Sequence, residues 1–352
     1  MGRYLALVGT LVATLIAEPL VADTSMLIIA HRGASAERPE HTLAAYELAM
    51  IQGADYIEPD LVATRDGVLV SRHENELSET TDVATRPEFK DRFREKLIDG
   101  DVISGWFAED FMLAELRTLR TRERIPEIRP HNSRYDGLYQ VPTFQEIVQL
   151  VKAYEAQAGR AIGVYPELKH PTFLMQDANI DVVQLLLSEL KELKLEPTDP
   201  IFIQCFEVEA LQRLAESSDY PLVQLVAPEG GPADKPEQSY ATMTSPEGLA
   251  DIALYADAVG ANIAQILQPD GTPTSLVANA RTAGLDVHAW TLRPENQFLP
   301  PQLWTGDDPI GRGCGDLALA QMLARAGVAG VFTDASLSLA GMCQGAELEQ
   351  ID

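Results

Sequence analysis

Short apolar runs alternate with amphipathic segments along most of the chain. Apolar residues recur at helical spacing in segments such as 43–51 and 143–159, and the runs between these segments are short enough to be buried strands. The strands begin near residues 26, 56, 161, 201, 222, 258, 286 and 330. Eight strands separated by helices predict an α/β fold with a parallel sheet, and their number favours a closed (β/α)8 TIM barrel. An open doubly wound sheet is the alternative, although no Gly-x-Gly-x-x-Gly or P-loop motif supports a nucleotide site.

This rhythm breaks in residues 75–140, after the second strand and the hairpin that follows it. The segment is charged, shows no clean strand and contains only a weak helical pattern at 110–119. We interpret it as a loop insertion, which is either a lid that reads the substrate or a tolerated surface excursion. Its one aromatic pair, Trp106 and Phe107, is the only candidate for an exposed patch that reads lipid.

The first 22 residues have the pattern of a secretory signal peptide. Arg3 precedes an apolar run, Tyr4–Ile16, and the stretch ends on Leu20-Val21-Ala22. We therefore expect residues 1–22 to be a leader, 23–352 to be the barrel domain, and the protein to be exported to the periplasm or outside the cell. A retained membrane anchor is the alternative, although the apolar run is short for a transmembrane span.

Composition narrows the classes of partner. The 352 residues include 53 acidic and 27 basic side chains, a net charge of −26, which argues against nucleic acid and against anionic membrane surfaces. A phosphate-bearing substrate must then be bound by a local positive group. The three cysteines form no zinc pattern. Cys205 fits a buried strand, while Cys314 and Cys343 could pair in an exported protein, which the sequence does not establish.

Three carboxylates follow the pattern of a metal site. Glu58 and Asp60 are two residues apart in the second strand, so they face the same side, and Glu167 follows the third strand. Because the active site of a barrel lies at the carboxyl ends of its strands, these groups should converge and repel one another unless a cation lies between them. Oxygen-only ligands favour Ca²⁺ or Mg²⁺ over zinc. The alternative is a salt bridge from one of them to Arg32 or Lys169.

Two histidines and an arginine complete this predicted site. His31 and Arg32 end the first strand, and His73 follows the return strand of the hairpin at Asp66-Gly67. An arginine can bind a phosphate, and two histidines on opposite sides of it could serve as acid and base in the cleavage of a phosphodiester. Each histidine could instead be a structural imidazole bonded to a backbone carbonyl. Of the others, His41 fits a structural role and His288 a core position.

Two further residues are candidates for contact with the substrate. Lys169 could bind the phosphate or a substrate hydroxyl, or it could only neutralise Glu167. Trp290 could stack on a small polyol, although barrel packing is the commoner role of an aromatic residue there.

Together these motifs resemble the glycerophosphodiester phosphodiesterase family, most closely its exported, periplasmic bacterial branch. The matching segments cover nearly the whole chain in order: His31–Ser35, Pro39–Thr42, Gly53–Val62, Asp66–Val70 with His73, Tyr165–Lys169, Gln204–Phe206, Leu222–Leu225, Val287–Arg293 and Gly330–Asp334.

The resemblance implies a TIM barrel that hydrolyses glycerophosphodiesters to glycerol 3-phosphate and an alcohol. It implies a divalent metal, often Ca²⁺, on the three carboxylates, His31 and His73 as the acid and base, and Arg32 on the phosphate. Glu74 departs from the aspartate that the family usually has there, and Thr333-Asp334 lacks the proline that usually follows. The alternatives are a phospholipase-D-like enzyme acting on lysophospholipid or sphingomyelin and a non-catalytic binding barrel.

Overall fold

The computed structural model describes residues 26–336. Its strands are β1 (Leu27–His31), β2 (Tyr56–Glu58), β3 (Asp60–Ala63), β4 (Leu69–Ser71), β5 (Arg94–Ile98), β6 (Asp101–Gly105), β7 (Gly163–Val164), β8 (Glu167–Leu168), β9 (Ile203–Cys205), β10 (Leu222–Val226), β11 (Ala258–Asn262), β12 (Asp286–Leu292) and β13 (Gly330–Thr333). Its α-helices are α1 (Leu43–Ile51), α2 (Leu113–Leu116), α3 (Phe144–Ala158), α4 (Pro171–Ala178), α5 (Val182–Glu192), α6 (Val208–Ser217), α7 (Tyr240–Met243), α8 (Pro246–Ile252), α9 (Ile263–Ile266), α10 (Leu276–Ala283) and α11 (Gly315–Arg325). Short 3₁₀ helices are Val83–Thr85, Pro87–Arg92, Ala108–Asp110, Asn132–Tyr135, Asn296–Phe298 and Pro301–Leu303.

The main sheet curls into a TIM-barrel-like fold. β1 pairs in parallel with β2 on one side and with β13 on the other, and β9 to β13 pair in chain order. β2 and β3 are two halves of the predicted second strand, interrupted at Pro59, while β7 and β8 are halves of the third, interrupted at Tyr165 and Pro166. β2 pairs with β7, and β3 pairs with β8. The first strand thus meets the last, as the closed-barrel prediction requires and the open-sheet alternative does not.

Apolar packing occupies both sides of this sheet. The largest buried cluster lies between the strands and the surrounding helices. A smaller cluster includes Ile29, Tyr165, Val223 and Phe332. The hydroxyl of Tyr165 lies 2.6 Å from Nδ1 of His288, which is 1% exposed, so His288 is a buried core residue as the sequence predicts.

The connection from β1 to α1 is a tight turn. Arg32 has a φ of 60° and Gly33 a φ of 85°. A Cβ atom at Gly33 would lie 2.7 Å from the carbonyl carbon of Ala45, so only glycine fits there. Thr42 then caps α1 by accepting a hydrogen bond from the backbone N–H of Ala45. The turn leaves His31 and Arg32 at the carboxyl end of their strand.

The segment between β4 and α3 is more regular than the sequence indicates. The expectation that residues 75–140 contain no strand is wrong, because β5 and β6 form an antiparallel hairpin across the positive-φ turn at Asp99 and Gly100. Both strands are largely exposed, so they lack the alternation of apolar residues that marks a half-buried strand. The helix expected at 110–119 shrinks to the single turn of α2.

The aromatic pair in this segment does not form an exposed patch. Phe107 is fully buried, and the indole N–H of half-buried Trp106 donates to the carbonyl of Phe89 at 2.7 Å. Among residues 26–336, no helix has the length and apolar character needed to cross a membrane. The predicted leader, 1–22, and Cys343 lie outside the described residues, so export, the domain boundaries and the pairing with Cys314 stay predictions.

Candidate active site

One cavity of about 450 Å³ at the mouth of the barrel brings the predicted residues together. Those that line it are His31, Arg32, Glu58, His73, Glu167, Lys169 and Trp290. The remaining predicted residue, Asp60, lies in the carboxylate cluster with Glu58 and Glu167. The mouth of the barrel is where active sites of this architecture are found.

The three carboxylates predicted to bind metal converge. Glu58, Asp60 and Glu167 are all buried, and each offers an oxygen within 4.8 Å of the others. Burial, followed by repulsion from Asp60, raises the pKa of Glu58 well above its usual range. Burial also raises the pKa of Glu167 to about 8, against the opposing effect of Lys169. A divalent cation would remove this repulsion and allow all three groups to be ionised.

The hydrogen bonds around the cluster leave one oxygen for a ligand. Glu58 accepts hydrogen bonds from the backbone N–H of Arg32 at 2.9 Å and from the amide of Gln204 at 3.0 Å. Asp60 Oδ2 accepts from Nε2 of His41 at 2.8 Å, while its buried Oδ1 has no partner among the described residues. A buried carboxylate oxygen without a donor fits the coordination of a hard cation.

His41 therefore supports the cluster as well as the fold. Although burial raises the pKa of Asp60, His41 together with His73 and Lys169 outweighs that effect and holds the pKa well below its usual range. On its other side, Nδ1 of His41 lies 2.7 Å from the hydroxyl of Tyr46 and 2.9 Å from that of Ser71. The ring orientation is thus fixed from both ends, as is usual for a group that orients a metal ligand.

His31 is held in one orientation by a buried carboxylate. Nδ1 of His31 lies 2.6 Å from Asp334 Oδ1, and Nε2 accepts a hydrogen bond from Nε of Arg32 at 3.2 Å. This arrangement assigns the proton to Nδ1 and leaves a lone pair on Nε2. Burial, followed by the charge of Arg32, lowers the pKa of His31, and Asp334 partly opposes both. At neutral pH the ring is therefore a neutral base.

Asp334 is fixed by an arginine from the segment between β4 and α3. Nη2 of Arg129 lies 2.5 Å from Asp334 Oδ2, and its Nε lies 2.9 Å from Oε1 of Glu295. Nη1 of Arg129 donates to the carbonyl of Ser35 at 2.9 Å. Although burial opposes ionisation, Arg129 and His31 hold the pKa of Asp334 well below its usual range. The segment between β4 and α3 thus helps to hold His31 through Arg129 and Asp334.

His73 has a different environment on the other side of the cavity. Its Nδ1 lies 2.5 Å from Oε1 of Glu74, and its side chain is 27% exposed. Burial of the ring, together with the charges of Arg32 and Lys169, lowers its pKa to about 3. His73 is thus paired only with its neighbour in sequence, which occupies the position where the family usually has aspartate.

Arg32 is not free to move. Its Nη1 lies 3.2 Å from Glu40 Oε2, and Arg124 binds the other oxygen of the same carboxylate at 2.7 Å. The buried Arg72 holds the turn beneath it by donating to the carbonyls of Glu40 and His41. The guanidinium of Arg32 is therefore placed at the cavity wall before any ligand binds.

Lys169 and Trp290 have the structural contacts that the sequence allows for, and both also line the cavity. Nζ of Lys169 lies 2.8 Å from Glu167 Oε1, so it neutralises that carboxylate while lining the cavity. Trp290 donates from its indole N–H to the carbonyl of Gly260 at 3.1 Å, and its ring packs edge-on against Phe206. Both residues are anchored to the barrel, and their side chains line the cavity.

The chain is similar to known phosphodiesterases over most of its length. A model of the glycerophosphoryl diester phosphodiesterase family matches residues 31–337. The glycerophosphodiester phosphodiesterase GDPD6 of Arabidopsis thaliana is 34% identical, covering 88% of this chain and 84% of its own. A glycerophosphodiester phosphodiesterase of Haemophilus influenzae is 29% identical, covering 89% and 90%.

The fold is also similar to that of a solved structure. This is an Oleispira antarctica phosphodiesterase in complex with the product sn-glycerol-3-phosphate. It has a TM-score of 0.58 and is 20% identical, covering 89% of this chain and 95% of its own. The similarities favour neither the phospholipase-D-like alternative nor the non-catalytic barrel.

Proposed function

The chain belongs to the glycerophosphoryl diester phosphodiesterase family and is a glycerophosphodiester phosphodiesterase, and from this we propose how it works. It hydrolyses glycerophosphodiesters such as glycerophosphocholine to sn-glycerol 3-phosphate and an alcohol, in glycerol and phospholipid metabolism. Two histidines, His31 and His73, transfer the protons, and the carboxylate cluster would hold a divalent cation that supplies positive charge. One observation supports this most directly: both imidazoles, Arg32 and the carboxylate cluster meet at a single cavity.

His31 acts as the general base. The Nδ1 proton is directed at Asp334, so the lone pair of His31 is on Nε2. In the free protein this lone pair accepts a hydrogen bond from Nε of Arg32, and during the reaction it would accept the proton of the attacking hydroxyl in place of that bond. Asp334 stabilises the imidazolium that forms. His73, on the opposite side of the phosphate, donates a proton to the departing alcohol. In the free protein, burial, Arg32 and Lys169 lower its pKa to about 3, so this role requires the negative charge of the bound phosphate to raise that pKa. Whether water or the glycerol hydroxyl attacks first, the same two residues transfer the protons.

Arg32, Lys169 and Trp290 bind the substrate. The guanidinium of Arg32 binds a non-bridging phosphate oxygen, whose charge grows in the transition state. Lys169 offers its remaining N–H donors to the phosphate or to a hydroxyl, and the ring of Trp290 packs on the carbon skeleton of the polyol.

Glu58, Asp60 and Glu167 would hold the cation. Ca²⁺ suits an all-carboxylate site best, with Mg²⁺ as the second candidate. When bound, the cation supplies positive charge for the phosphate and its transition state. The unpartnered Oδ1 of Asp60 and the raised pKa of Glu167 support this assignment.

The proposed activity is tested by turnover with defined substrates. Purified protein should release glycerol 3-phosphate from glycerophosphocholine, and EDTA should abolish that release. Added Ca²⁺ or Mg²⁺ should restore it, and their relative rates identify the preferred ion. Activity that survives full chelation would contradict the metal assignment. Faster turnover of lysophosphatidylcholine would contradict the substrate class.

The roles of the histidines are tested by substitution. His31→Ala and His73→Ala should each reduce kcat by on the order of 10²-fold or more, because each removes a proton-transfer group. His131→Ala, at an exposed position of the same chain, is the matched control and should keep the wild-type rate. Either active-site variant turning over at the wild-type rate would remove that residue from the mechanism.

We also propose that the protein is exported after removal of a leader near residue 22, as the apolar run after Arg3 indicates. Expression in a Gram-negative host, followed by fractionation and N-terminal sequencing, tests this. A membrane-bound product with an intact N-terminus would support the retained anchor instead.

A further inference from the structure

Glu207 stands at the start of α6 but does not perform the capping role expected at that position. A residue there often accepts a hydrogen bond from the first turn of the helix, and Ser, Thr, Asp and Asn do so most readily. Here the Glu207 side chain makes no such bond. Asp234, from the loop after β10, instead accepts from the backbone N–H groups of Val208 and Glu209. The carboxylate of Glu207 is therefore not needed to cap the helix.

This carboxylate is buried at the cavity that contains the predicted catalytic residues. Glu207 is 3% exposed and lines the same cavity as His31 and Glu167. One oxygen, Oε2, accepts a hydrogen bond from the backbone N–H of Thr172 at 3.0 Å. The other, Oε1, is buried and has no partner among the described residues. A buried carboxylate oxygen without a donor costs free energy unless a ligand supplies one.

No described cation pairs with this carboxylate. Burial, with smaller contributions from the charges of Asp234 and Asp99, raises its pKa to about 7 against the opposing hydrogen bonds from Thr172. The ammonium group of Lys169 is bound to Glu167 instead. Thr172 is the hydrogen-bond donor recorded for this carboxylate, so a bound ligand can supply the donor that Oε1 lacks.

The neighbouring side chains match a polyol. Glu207 follows Phe206, and Nζ of Lys169 lies 5.8 Å from the centre of the Phe206 ring. A donor, an apolar ring and an acceptor thus adjoin one another on one wall, and a polyol presents both hydroxyls and C–H edges to such a wall. β9 pairs with β8 where Gln204 meets Glu167, so this wall adjoins the carboxylate cluster.

We propose that Oε1 of Glu207 accepts a hydrogen bond from a hydroxyl of the glycerol moiety, which makes the enzyme selective for esters that carry that hydroxyl. This inference rests on the proposed function. A site built around a buried acceptor discriminates strongly against a ligand that lacks the donor, because the acceptor then stays unsatisfied. Glu207 is thus a determinant of specificity that adds to the predicted residues.

Direct binding of phosphomonoesters tests this role without requiring turnover. Calorimetry on the metal-loaded protein should show that sn-glycerol 3-phosphate binds roughly 10- to 100-fold more tightly than propyl phosphate, which has no hydroxyl. In Glu207→Ala this ratio should fall to within about threefold, and in Glu207→Gln to an intermediate value. Glu209→Gln, an exposed carboxylate of the same helix, is the matched control and should keep the wild-type ratio.

The outcomes separate this proposal from its alternatives. An unchanged ratio in Glu207→Ala, with propyl phosphate still binding, would overturn it. If Glu207→Ala weakened phosphoethanolamine relative to phosphocholine and spared glycerol 3-phosphate, the acceptor would read the leaving alcohol, and the proposal would also be wrong. A wild-type protein that shows the expected ratio but does not cleave glycerophosphocholine would contradict the proposed function and leave this contact established.

Discussion

The two histidines of the cavity have the same side chain but very different surroundings. His31 ends β1 and is bound through Nδ1 to Asp334, which Arg129 connects to Glu295. That chain of ion pairs joins residues far apart in sequence; Asp334, Arg129 and Glu295 are buried, and the His31 side chain is 12% exposed. Within the described part of the chain, the ion pair recorded for His73 is with the adjacent Glu74, and both side chains are partly exposed.

This difference suggests how the work is divided. A buried carboxylate fixes both the tautomer and the orientation of His31, which suits a base that must present one nitrogen to the nucleophile. A partly exposed pair such as His73 and Glu74 holds its geometry less firmly. It suits a group that must accommodate alcohols of different size. The comparison predicts unequal sensitivity of the two sides to loss of the carboxylate partner.

The largest effect is expected when Asp334, the carboxylate partner of His31, is replaced by its amide. The same replacement of Glu74, the partner of His73, provides the comparison. In Asp334→Asn, the amide N–H can donate to Nδ1 of His31 and so force the proton onto Nε2, where the base needs a lone pair. We expect kcat to fall by about 10²- to 10³-fold. Glu74→Gln should reduce kcat by less than about 10-fold, because that contact is partly exposed. Steady-state kinetics with glycerophosphocholine measure both.

Thermal unfolding provides the control for this pair of variants. Asp334 lies between Arg129 and Arg293, so its replacement weakens buried ion pairs, and part of a rate loss could reflect unfolding. The rates should therefore be measured well below the Tm of each variant. Equal losses of kcat in the two folded variants would show that both histidines depend equally on their carboxylate partners. That result would contradict the proposed difference between them.

The sequence predicts most of the surroundings of His73 but few of the residues that hold His31 in place. Glu74 is adjacent in the chain, and the carboxylates and histidines follow from strand ends in a barrel. Asp334 belongs to the matching segment at β13, yet its pairing with His31 spans 303 positions. Arg129 lies in a charged, irregular segment where no periodic signal distinguishes a buried arginine from exposed ones.

The pattern of apolar and polar residues also does not predict the backbone geometry of the β1–α1 turn or of the β5–β6 hairpin. His41 was expected to be structural, and only the folded β1–α1 turn brings its Nε2 to Asp60. The hydrophobic pattern does not indicate the β5–β6 hairpin, because both of its strands are largely exposed. The order of the eight strands was predictable, because buried apolar runs and amphipathic helices carry that information directly.

A smaller effect is expected from Arg129, which acts on His31 through Asp334. Arg129→Met removes the positive charge between Asp334 and Glu295, and we expect kcat to fall about 10-fold with little change in KM. Breaking a buried ion pair also costs about 3–5 kcal/mol of stability. Arg129→Lys should recover part of the rate, because lysine keeps the charge but cannot bind both carboxylates and the carbonyl of Ser35 together.

Arg134→Met is the matched control, since Arg134 is an exposed arginine of the same segment. It should keep the wild-type kcat and stability. If Arg129→Met lost stability but kept the full kcat at a temperature where it is folded, Arg129 would be structural only. The segment between β4 and α3 would then support the site through Arg124 and Glu40 and not through Arg129.

The smallest effect is a shift in pH dependence, and its sign distinguishes the two histidines. Burial and Arg32 lower the pKa of His31, so the base stays deprotonated below pH 6.5 and the acid limb of kcat/KM should lie below that value. Asp334 raises this pKa, so Asp334→Asn should move the limb to lower pH. Arg129→Met removes a nearby positive charge, which should move the limb to higher pH. Glu74→Gln should leave it in place. If Glu74→Gln shifted the acid limb of kcat/KM and Asp334→Asn did not, the limb would report the pKa of His73. His73 would then be the base in place of His31.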